Sequence, residues 1–432
     1  MSLTRNRLAA GVALLTLAAA TQASASAFYL QEQSVRGAGR AYSGEVADTG
    51  VGSLWWNPAS IASVEKAEIY GGLHYVGVES HVKNTGSTIR RSTTTTGISG
   101  DQDVSGPIKN GVVPNFAAAY RLNDKIVVGL SVAAPYNFTT EYNTTSWTRY
   151  DALKSRLTTA DIQATVAYRL TDTLDLGLGV DAIYSDAELT NALPNFPTPF
   201  NPTAQDGKQK LKGDGWDYGW NVGAQWRPTS KLTFGASYRA KVKRTLKGDV
   251  TVSGLTYPLT TGNMVTKAQA TITTPWTATV GARWAVNDRL TVNGSVSRLG
   301  WSEFDAIRVT YAGGGSTSIQ DYKDITTIAV GADYKLTDKV TVRGGLQRDP
   351  TPTPDNDRTS RVPDGDRWMY AVGATFQTTP KLQLDTALNY IAFNSSNINR
   401  SDTFYSGAAA TSLSGRVSGH ALVMSVGGRY SF

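Results

Sequence analysis

The sequence has no cysteine and only three histidines among its 432 residues. The lack of cysteine excludes disulfide-stapled folds, thiol catalysis and cysteine metal sites. The histidines, His74, His81 and His420, stand in no spacing with Asp or Glu that is typical of a metal site. We therefore expect no metal and no cofactor. The formal net charge of +7 is evenly spread, and this argues against a nucleic-acid partner.

Long apolar runs are also missing, apart from one at the N-terminus. Leu8–Ala20 carries no charge, follows Arg5 and Arg7, and precedes Ala23-Ser24-Ala25. This order is typical of a secretory signal peptide, with cleavage after Ala25 or, as the alternative, after Ala27. The run is too short for a stop-transfer helix, and nothing comparable follows it. We assign residues 1–25 to the leader and expect an exported protein.

The chain after the leader contains six short polar turns. Each turn follows a stretch of alternating apolar and polar residues that ends in an aromatic residue or a leucine, and a further alternating stretch begins after each turn. Asn, Asp, Thr and Pro favour tight turns through local hydrogen bonds and a fixed φ. The six turns are 120–126, 170–174, 226–232, 284–290, 334–340 and 376–382. Six turns on one side predict seven strand pairs, hence fourteen strands, with seven long loops on the other side, such as 83–110, 190–212 and 349–364.

Within the predicted strands, apolar and polar residues alternate with a period of two. In one strand the residues of one parity are mostly apolar, and those of the other parity are mostly polar. The apolar set is Ala270, Ile272, Trp276, Ala278, Val280, Ala282 and Trp284. Such alternation places one set against lipid and the other in a polar lumen. It also explains how a membrane protein keeps a mean hydropathy of -0.26. We predict an all-β, 14-stranded antiparallel transmembrane β-barrel in the bacterial outer membrane over residues 67–432. A soluble β-sandwich is the less favoured alternative, because it does not sustain such alternation.

Two terminal segments complete the predicted architecture. Tyr430 and Phe432 end a last amphipathic strand, which is typical of the signal read by the barrel-insertion machinery. The segment 26–66 carries both charges and glycines and does not resemble a membrane strand. It could hang in the periplasm or fold into the lumen. Fourteen strands enclose a lumen wide enough that a selective pore needs a hatch inside it.

Two motifs in this N-terminal segment resemble the hatch of the FadL/TodX family of outer-membrane hydrocarbon transporters. They are Gly37-Ala38-Gly39-Arg40-Ala41-Tyr42-Ser43-Gly44 and Trp56-Asn57-Pro58-Ala59. The stretches 113–116, 215–223 and 238–243 are similar to the same family. The resemblance extends over the layout of the whole mature chain.

The resemblance implies passive transport of a hydrophobic small molecule, most simply a long-chain fatty acid, through a barrel whose partners are this ligand and outer-membrane lipid. A ligand is caught by the loops and held in an apolar pocket. A conformational change at the hatch then releases it sideways through an opening at the third strand. The implied hatch or gate residues are Ser26, Phe28, Asn57, Pro58 and Ala59. The residues themselves point to the same strand, because its inward parity is small and largely apolar: Val127, Gly129, Ser131, Ala133 and Pro135. These residues could equally accommodate a packed hatch.

A carboxylate ligand needs a cation near the pocket. The candidates are Arg239, Lys241 and Lys243 on the seventh strand, with Arg36 and Arg40 of the hatch behind them. For any one of them, a solvated lumen wall is the competing interpretation. Leu193, Phe196 and Phe200 make the third loop hydrophobic, which favours either a capture surface or packing between loops.

Other functions remain open on the sequence alone. Aromatic or alkane hydrocarbons could use the same route. A surface receptor or adhesin would use only the loops, and a general porin would have no hatch. An enzyme is not expected, although a Ser–His pair between the first and last strands is conceivable. Nothing in the sequence requires an oligomer, and we expect a monomer.

Overall fold

The protein is a closed antiparallel barrel with its N-terminal segment packed inside. The structure is a computed structural model that describes residues 27–195 and 205–432. Fourteen wall strands follow one another around the barrel, and the first pairs with the last, from Glu68 with Ser431 to Asn84 with Gly415. Within the described ranges, no helix is long and apolar enough to cross a membrane.

Several wall strands are continuous and others are broken into two segments. In chain order the wall strands are β1 Ala67–Asn84; β4 Asp103–Ser105 with β5 Gly111–Arg121; β6 Ile126–Ala133 with β7 Phe138–Glu141; β8 Lys154–Arg169; β9 Leu174–Leu193; β10 Gly207–Thr229; β11 Leu232–Arg239 with β12 Val242–Ser253; β13 Met264–Thr274 with β14 Thr277–Ala285; β15 Leu290–Leu299 with β16 Ala306–Tyr311; β17 Gly314–Ile319 with β18 Ile325–Lys335; β19 Val340–Asp349; β20 Arg367–Thr379; β21 Leu382–Phe404; and β22 Ala409–Ser431. Two further strands, β2 Thr88–Arg91 and β3 Thr94–Gly97, form a hairpin in the first loop.

The six predicted turns are confirmed, and each connects neighbouring strands on one side of the barrel. The first residue of each turn faces outward and is exposed. These residues are Tyr120, Leu170, Trp226, Trp284, Tyr334 and Phe376. They form the aromatic and aliphatic girdle at that membrane interface. The prediction of seven long loops is wrong in part. Only two residues separate β16 from β17, and β9 and β10 stay paired up to Leu193 and Gly207, because the strands continue beyond the membrane.

The predicted alternation of the eighth strand also needs a correction. Val280 and Trp284 face lipid, whereas Ala270 and Ile272 line an interior cavity. The two halves have opposite parity because the strand is broken at Pro275 and Trp276. The pairing register is continuous across the break, from Arg239 with Thr277 to Val242 with Thr274, so the irregular backbone of the intervening residues turns the side chains to the other face.

The segment from Ala27 to Val64 lies inside the barrel and is almost entirely buried. It forms one helical turn, Val35–Ala38, and three 3-10 turns, Glu45–Ala47, Val51–Ser53 and Pro58–Ser63. These turns contact wall strands around the whole circumference. We call this segment the hatch.

Glycines on the inner wall allow the hatch backbone to come close. A Cβ at Gly345 would lie 2.1 Å from the carbonyl oxygen of Arg40, and a Cβ at Gly235 would lie 2.2 Å from that of Val46. Real Cβ contacts are not this short, so any side chain at these positions would displace the hatch.

Candidate ligand site

An apolar cavity lies in the loop-side half of the barrel, above the hatch. Its wall comes from strands three to nine, and the sixth loop covers it with Thr359, Arg361 and Val362. The aliphatic and aromatic lining residues are Phe28, Phe138, Leu157, Leu189, Leu211, Leu246, Ile272, Phe304 and Ile307. A concave site lined by apolar groups with a few polar groups is typical of a small-molecule pocket.

Phe28, at the N-terminal end of the described hatch, forms one wall of this cavity. Its ring centroid lies 5.0 Å from that of Trp301 and 5.3 Å from that of Phe304, both edge to face. Phe138 packs against it from the third wall strand at 5.8 Å. The predicted gate residue therefore contacts the cavity directly. Ser26, the other N-terminal residue of that prediction, lies outside the described residues.

The third wall strand is broken beside the cavity. β6 ends at Ala133, β7 begins at Phe138, and β5 pairs with β6 only as far as Phe116 with Val132. The part of β5 from Gly111 to Asn115 consequently has no ladder partner on this side. Proline at position 135 cannot donate to a ladder, which is one physical reason for the break.

Hatch residues fill this break through polar contacts. Leu30 N donates to Pro135 O at 2.8 Å, and Ala134 N donates to the Gln33 side-chain oxygen at 3.3 Å. On the other edge, Asn115 Nδ2 donates to Glu32 O at 3.3 Å. The hatch thus replaces the missing ladder and closes the break.

Among the hatch residues at the break, Glu32 carries a buried carboxyl group. Its side chain is buried, and its Oε2 has no hydrogen-bond partner. Burial raises the pKa of the carboxyl to about 7, although Arg367 favours the charged form. A carboxyl with such a pKa changes charge near neutral pH at the point where the hatch meets the wall.

The structure places two of the five predicted opening residues at the break and three below it. Ala133 and Pro135 border the break. Val127, Gly129 and Ser131 lie in ladders that are paired on both sides. A Cβ at Gly129 would lie 2.8 Å from Ile61 Cδ1 of the hatch. The interpretation that small residues accommodate the hatch therefore fits these three. Along the third wall strand, the inward-facing residues first contact the hatch and then reach the break.

Asn57, Pro58 and Ala59 anchor another part of the hatch to the wall. Asn57 Nδ2 donates to Val46 O at 2.7 Å and to Ala224 O of β10 at 3.1 Å. Its Oδ1 accepts from Ala59 N at 2.9 Å and so caps the turn that Pro58 begins. A Cβ at Gly223 would lie 2.0 Å from this oxygen. The motif joins the hatch to the fifth and sixth wall strands.

The cations predicted to meet a carboxylate ligand are already paired or point away. Arg40 pairs with Glu45 at 2.5 Å and Asp48 at 2.6 Å, and Arg36 pairs with Asp48 at 3.0 Å. Although burial opposes ionisation, Arg283, Arg36 and Arg40 hold the pKa of the Asp48 carboxyl well below its usual range. These hatch arginines are part of a structural ion cluster.

The candidates on the seventh strand are corrected in the same way. Arg239 lies inside, pairs with Asp181 at 2.8 Å and Asp161 at 3.3 Å, and stacks over Trp55. Lys241 pairs with Glu303 on the outside, and Lys243 is exposed on the outer face. The break between β11 and β12 reverses the parity beyond Arg239, which the uninterrupted pattern did not reveal.

Arg361 is the cation that the sequence reasoning missed. It lines the cavity, and its guanidinium donates only to neutral oxygens: Ser155 Oγ at 3.1 Å, Asn191 Oδ1 at 3.4 Å and Thr190 O at 3.5 Å. Within the described ranges, no carboxylate oxygen lies within ion-pair distance of it. The sequence marked its loop as long, but nothing singled out this arginine.

The remaining predicted residues lie away from the cavity. Leu193 packs with Val250, Val252 and Leu255, which agrees with the interpretation of packing near the loop base. Phe196 and Phe200 lie outside the described residues. Tyr430 pairs with Ile69 of β1, and the Phe432 ring lies edge to face on it at 4.9 Å.

A Ser–His pair does form between the first and last strands. His74 Nδ1 lies 2.7 Å from Ser425 Oγ, and His74 Nε2 lies 3.1 Å from Asn115 Nδ2. All three residues are buried, and Asn115 also contacts the hatch. The hatch covers the pair, so no substrate reaches it in this state.

The model of the outer membrane protein transport family (OMPP1/FadL/TodX) matches residues 16–432. The chain belongs to this family. The long-chain fatty acid transport protein of Escherichia coli K12 is similar, with 27% identity over 92% of this chain and 93% of the relative. Outer membrane protein P1 of Haemophilus influenzae is 27% identical over 88% of this chain and 89% of the relative.

A solved structure shows the same fold. The crystal structure of a Pseudomonas aeruginosa FadL homologue has a TM-score of 0.83 and 23% identity, covering 94% of this chain and 99% of that one. Membership of the FadL/TodX family establishes that the protein is an outer-membrane β-barrel that transports hydrophobic small molecules and is not an enzyme.

Proposed function

We propose that this FadL/TodX-family barrel carries long-chain fatty acids in preference to uncharged hydrocarbons. One observation supports this choice above the others. Arg361 brings a positive charge to an apolar cavity and has no carboxylate partner in the described chain. The buried guanidinium has no direct ion pair, and only the more distant Asp151 and Asp402 carboxylates attract it, so a ligand carboxylate would supply the missing direct partner. A neutral hydrocarbon would leave that charge unpaired.

The proposed route runs from the loops to the cavity and out through the third-strand break. Each buried methylene contributes about 0.8 kcal/mol, so releasing an acyl chain into water is strongly unfavourable. A side passage into the bilayer avoids that penalty. Displacement of Phe28 and residues 30–33 of the hatch would connect the cavity with the break, since Phe28 lines the cavity and residues 30–33 close the break.

Uptake of labelled oleate and labelled toluene by cells that lack their own transporter tests the proposal. Replacing Arg361 with glutamine should reduce oleate uptake about tenfold or more, because a hydrogen bond to a charged group contributes about 1.5–3 kcal/mol. Arg361→Lys should retain part of the activity. Arg348→Gln removes the same charge from an exposed outer position and should have no effect.

Toluene uptake separates the alternative substrates. Uptake of toluene without oleate, unchanged in Arg361→Gln, would move the substrate to aromatic hydrocarbons. Ala134→Trp should block release through the break, whereas Leu130→Trp, which faces lipid, should not. If neither compound enters, the receptor interpretation gains support.

A further inference from the structure

The wall has a second interruption beside the cavity, between its eighth and ninth strands. The ladder pairs Thr277 with Leu299 on the turn side and resumes at Thr271 with Arg308 on the loop side. Between these pairs lie five residues of the eighth strand and eight residues of the ninth, and they form no ladder with each other. We call these residues, 272–276 and 300–307, the second break.

Two local features prevent a ladder here. Pro275 has no N–H to donate, and proline within a sheet is confined to edges and bulges. On the ninth strand, Trp301–Glu303 forms a 3-10 turn, which takes up the additional residues. Within the described chain, one backbone hydrogen bond crosses the second break, from Gly300 N to Trp276 O at 2.8 Å. Elsewhere in the second break, side chains alone close the wall.

Aromatic rings seal the second break from the inside. Trp301 and Phe304 are buried, with their ring centroids 6.3 Å apart, and Phe28 of the hatch packs edge to face on both. Phe304 lines the cavity together with Ile272 and Ile307. The indole nitrogen of Trp301 has no hydrogen-bond partner in the described chain. Packing therefore holds these rings, and their rotation would connect the cavity with the second break without the loss of a ladder.

The second break lies at the outer edge of the lipid-facing band. Trp276, which packs against Tyr238, is eight residues from Trp284 of the turn-side girdle. That separation is about 26 Å along a strand, or about 20 Å of height at a tilt of about 40°. The apolar band of a barrel is about 25 Å tall, so the second break is level with the outer leaflet. On the outside, Lys241 of the seventh strand reaches across the eighth strand and pairs with Glu303 at 2.9 Å.

We propose that the second break is an entry portal, through which a lipophilic ligand dissolved in the outer leaflet reaches the cavity sideways. This inference rests on the proposed function, in which the cavity holds the ligand. An acyl chain on this path stays in apolar surroundings, whereas a path over the loops exposes its methylenes to water. Elsewhere between these two strands a ladder would have to break, and unpaired backbone groups are unfavourable in a bilayer. The third-strand break then serves release, and Phe28 separates the two because it also packs against Tyr136 at 6.0 Å.

Reversible cross-linking across the outer mouth tests the proposal, because the chain has no native cysteine that would interfere. Lys241→Cys and Glu303→Cys are combined in the full-length protein in lipid nanodiscs. A short bis-thiosulfonate reagent bridges them, and a reductant removes the bridge. The control combines Glu188→Cys with Lys210→Cys, another outer Lys–Glu pair, which lies on a continuous ladder. A diazirine-labelled fatty acid is added to the lipid, and flash photolysis followed by peptide mass spectrometry gives the rate of cavity labelling.

The cross-link at the second break should slow cavity labelling about tenfold or more, because the remaining route through the loops crosses water. Reduction should restore the rate, and the final extent of labelling should stay the same. The control cross-link should leave the rate unchanged, and equal rates in the two cross-linked proteins would overturn the portal. A diazirine-labelled alkane separates this inference from the proposed function. Slower loading of the alkane would support the portal even if Arg361→Gln had no effect on oleate.

Discussion

Replacing Gly345 with alanine should loosen the hatch while leaving the barrel folded. The new Cβ would lie 2.1 Å from the carbonyl oxygen of Arg40 and 2.3 Å from its carbonyl carbon. Both atoms belong to the backbone of a residue whose guanidinium is fixed by Glu45 and Asp48, so the conflict cannot be relieved by a side-chain rotation.

The size of the effect follows from this geometry. Overpacking of a tightly packed interior costs about 1–3 kcal/mol. If that cost falls on the docked hatch alone, the population with a displaced hatch rises about 5- to 150-fold. The wall ladder is unaffected, because an alanine methyl group at this position points into the lumen and away from the neighbouring strands.

Two measurements check this expectation. Conductance of the reconstituted protein in planar bilayers should show more frequent open events. Trypsin should cleave more rapidly at Arg36 and Arg40, while heat-modifiable electrophoretic mobility remains that of a folded barrel. Gly344→Ala is the control, because its Cβ would meet nothing closer than Ala371 O at 3.5 Å. Equal conductance and equal cleavage in the two variants would refute the reasoning.

Three further results are expected. Burial raises the pKa of the Glu32 carboxyl to about 7 from an ordinary 4.5, so hatch docking should be strongest below the ordinary pKa and should weaken as pH rises through 7. Glu32→Gln should abolish this pH dependence, and protease protection of the hatch measured from about pH 5 to pH 8 would then stay constant in the variant. Asn57→Ala should remove the hydrogen bonds to Val46 O and Ala224 O and weaken docking by about 1–3 kcal/mol, although Gln225 still donates to Val46 O. The exposed Asn143→Ala should leave docking unchanged, and hydrogen exchange of the hatch would measure both effects. Ala187→Phe should fill part of the cavity and lower oleate binding, and no loss relative to the lipid-facing Ala182→Phe would contradict the assignment of the cavity.

The architecture of this protein could be predicted from local patterns. Residues such as Asn287 and Asp288 mark a turn because their side chains form local hydrogen bonds, and Asn287 does cap its turn through Leu290 N. Alternation with a period of two gave the inner and outer faces wherever a strand is unbroken, because successive side chains must point to opposite faces. Asn57 is identified instead by the resemblance of its motif to the FadL/TodX hatch, and the structure shows that its side chain caps the turn begun by Pro58.

The site depended on tertiary structure, for two physical reasons. The breaks after Arg239 and after Thr274 separate segments of opposite parity. Lys243 therefore faces outward although Arg239 faces inward, and Ile272 faces the cavity although Trp284 faces lipid. Ion pairing then decides which cations are available, because a charge such as Arg40 is neutralised by carboxylates that only the fold brings to it. The fold likewise decides that Arg361 forms no ion pair. Its loop folds over the lumen to a place where neutral oxygens surround the guanidinium, and no local sequence pattern contains that information.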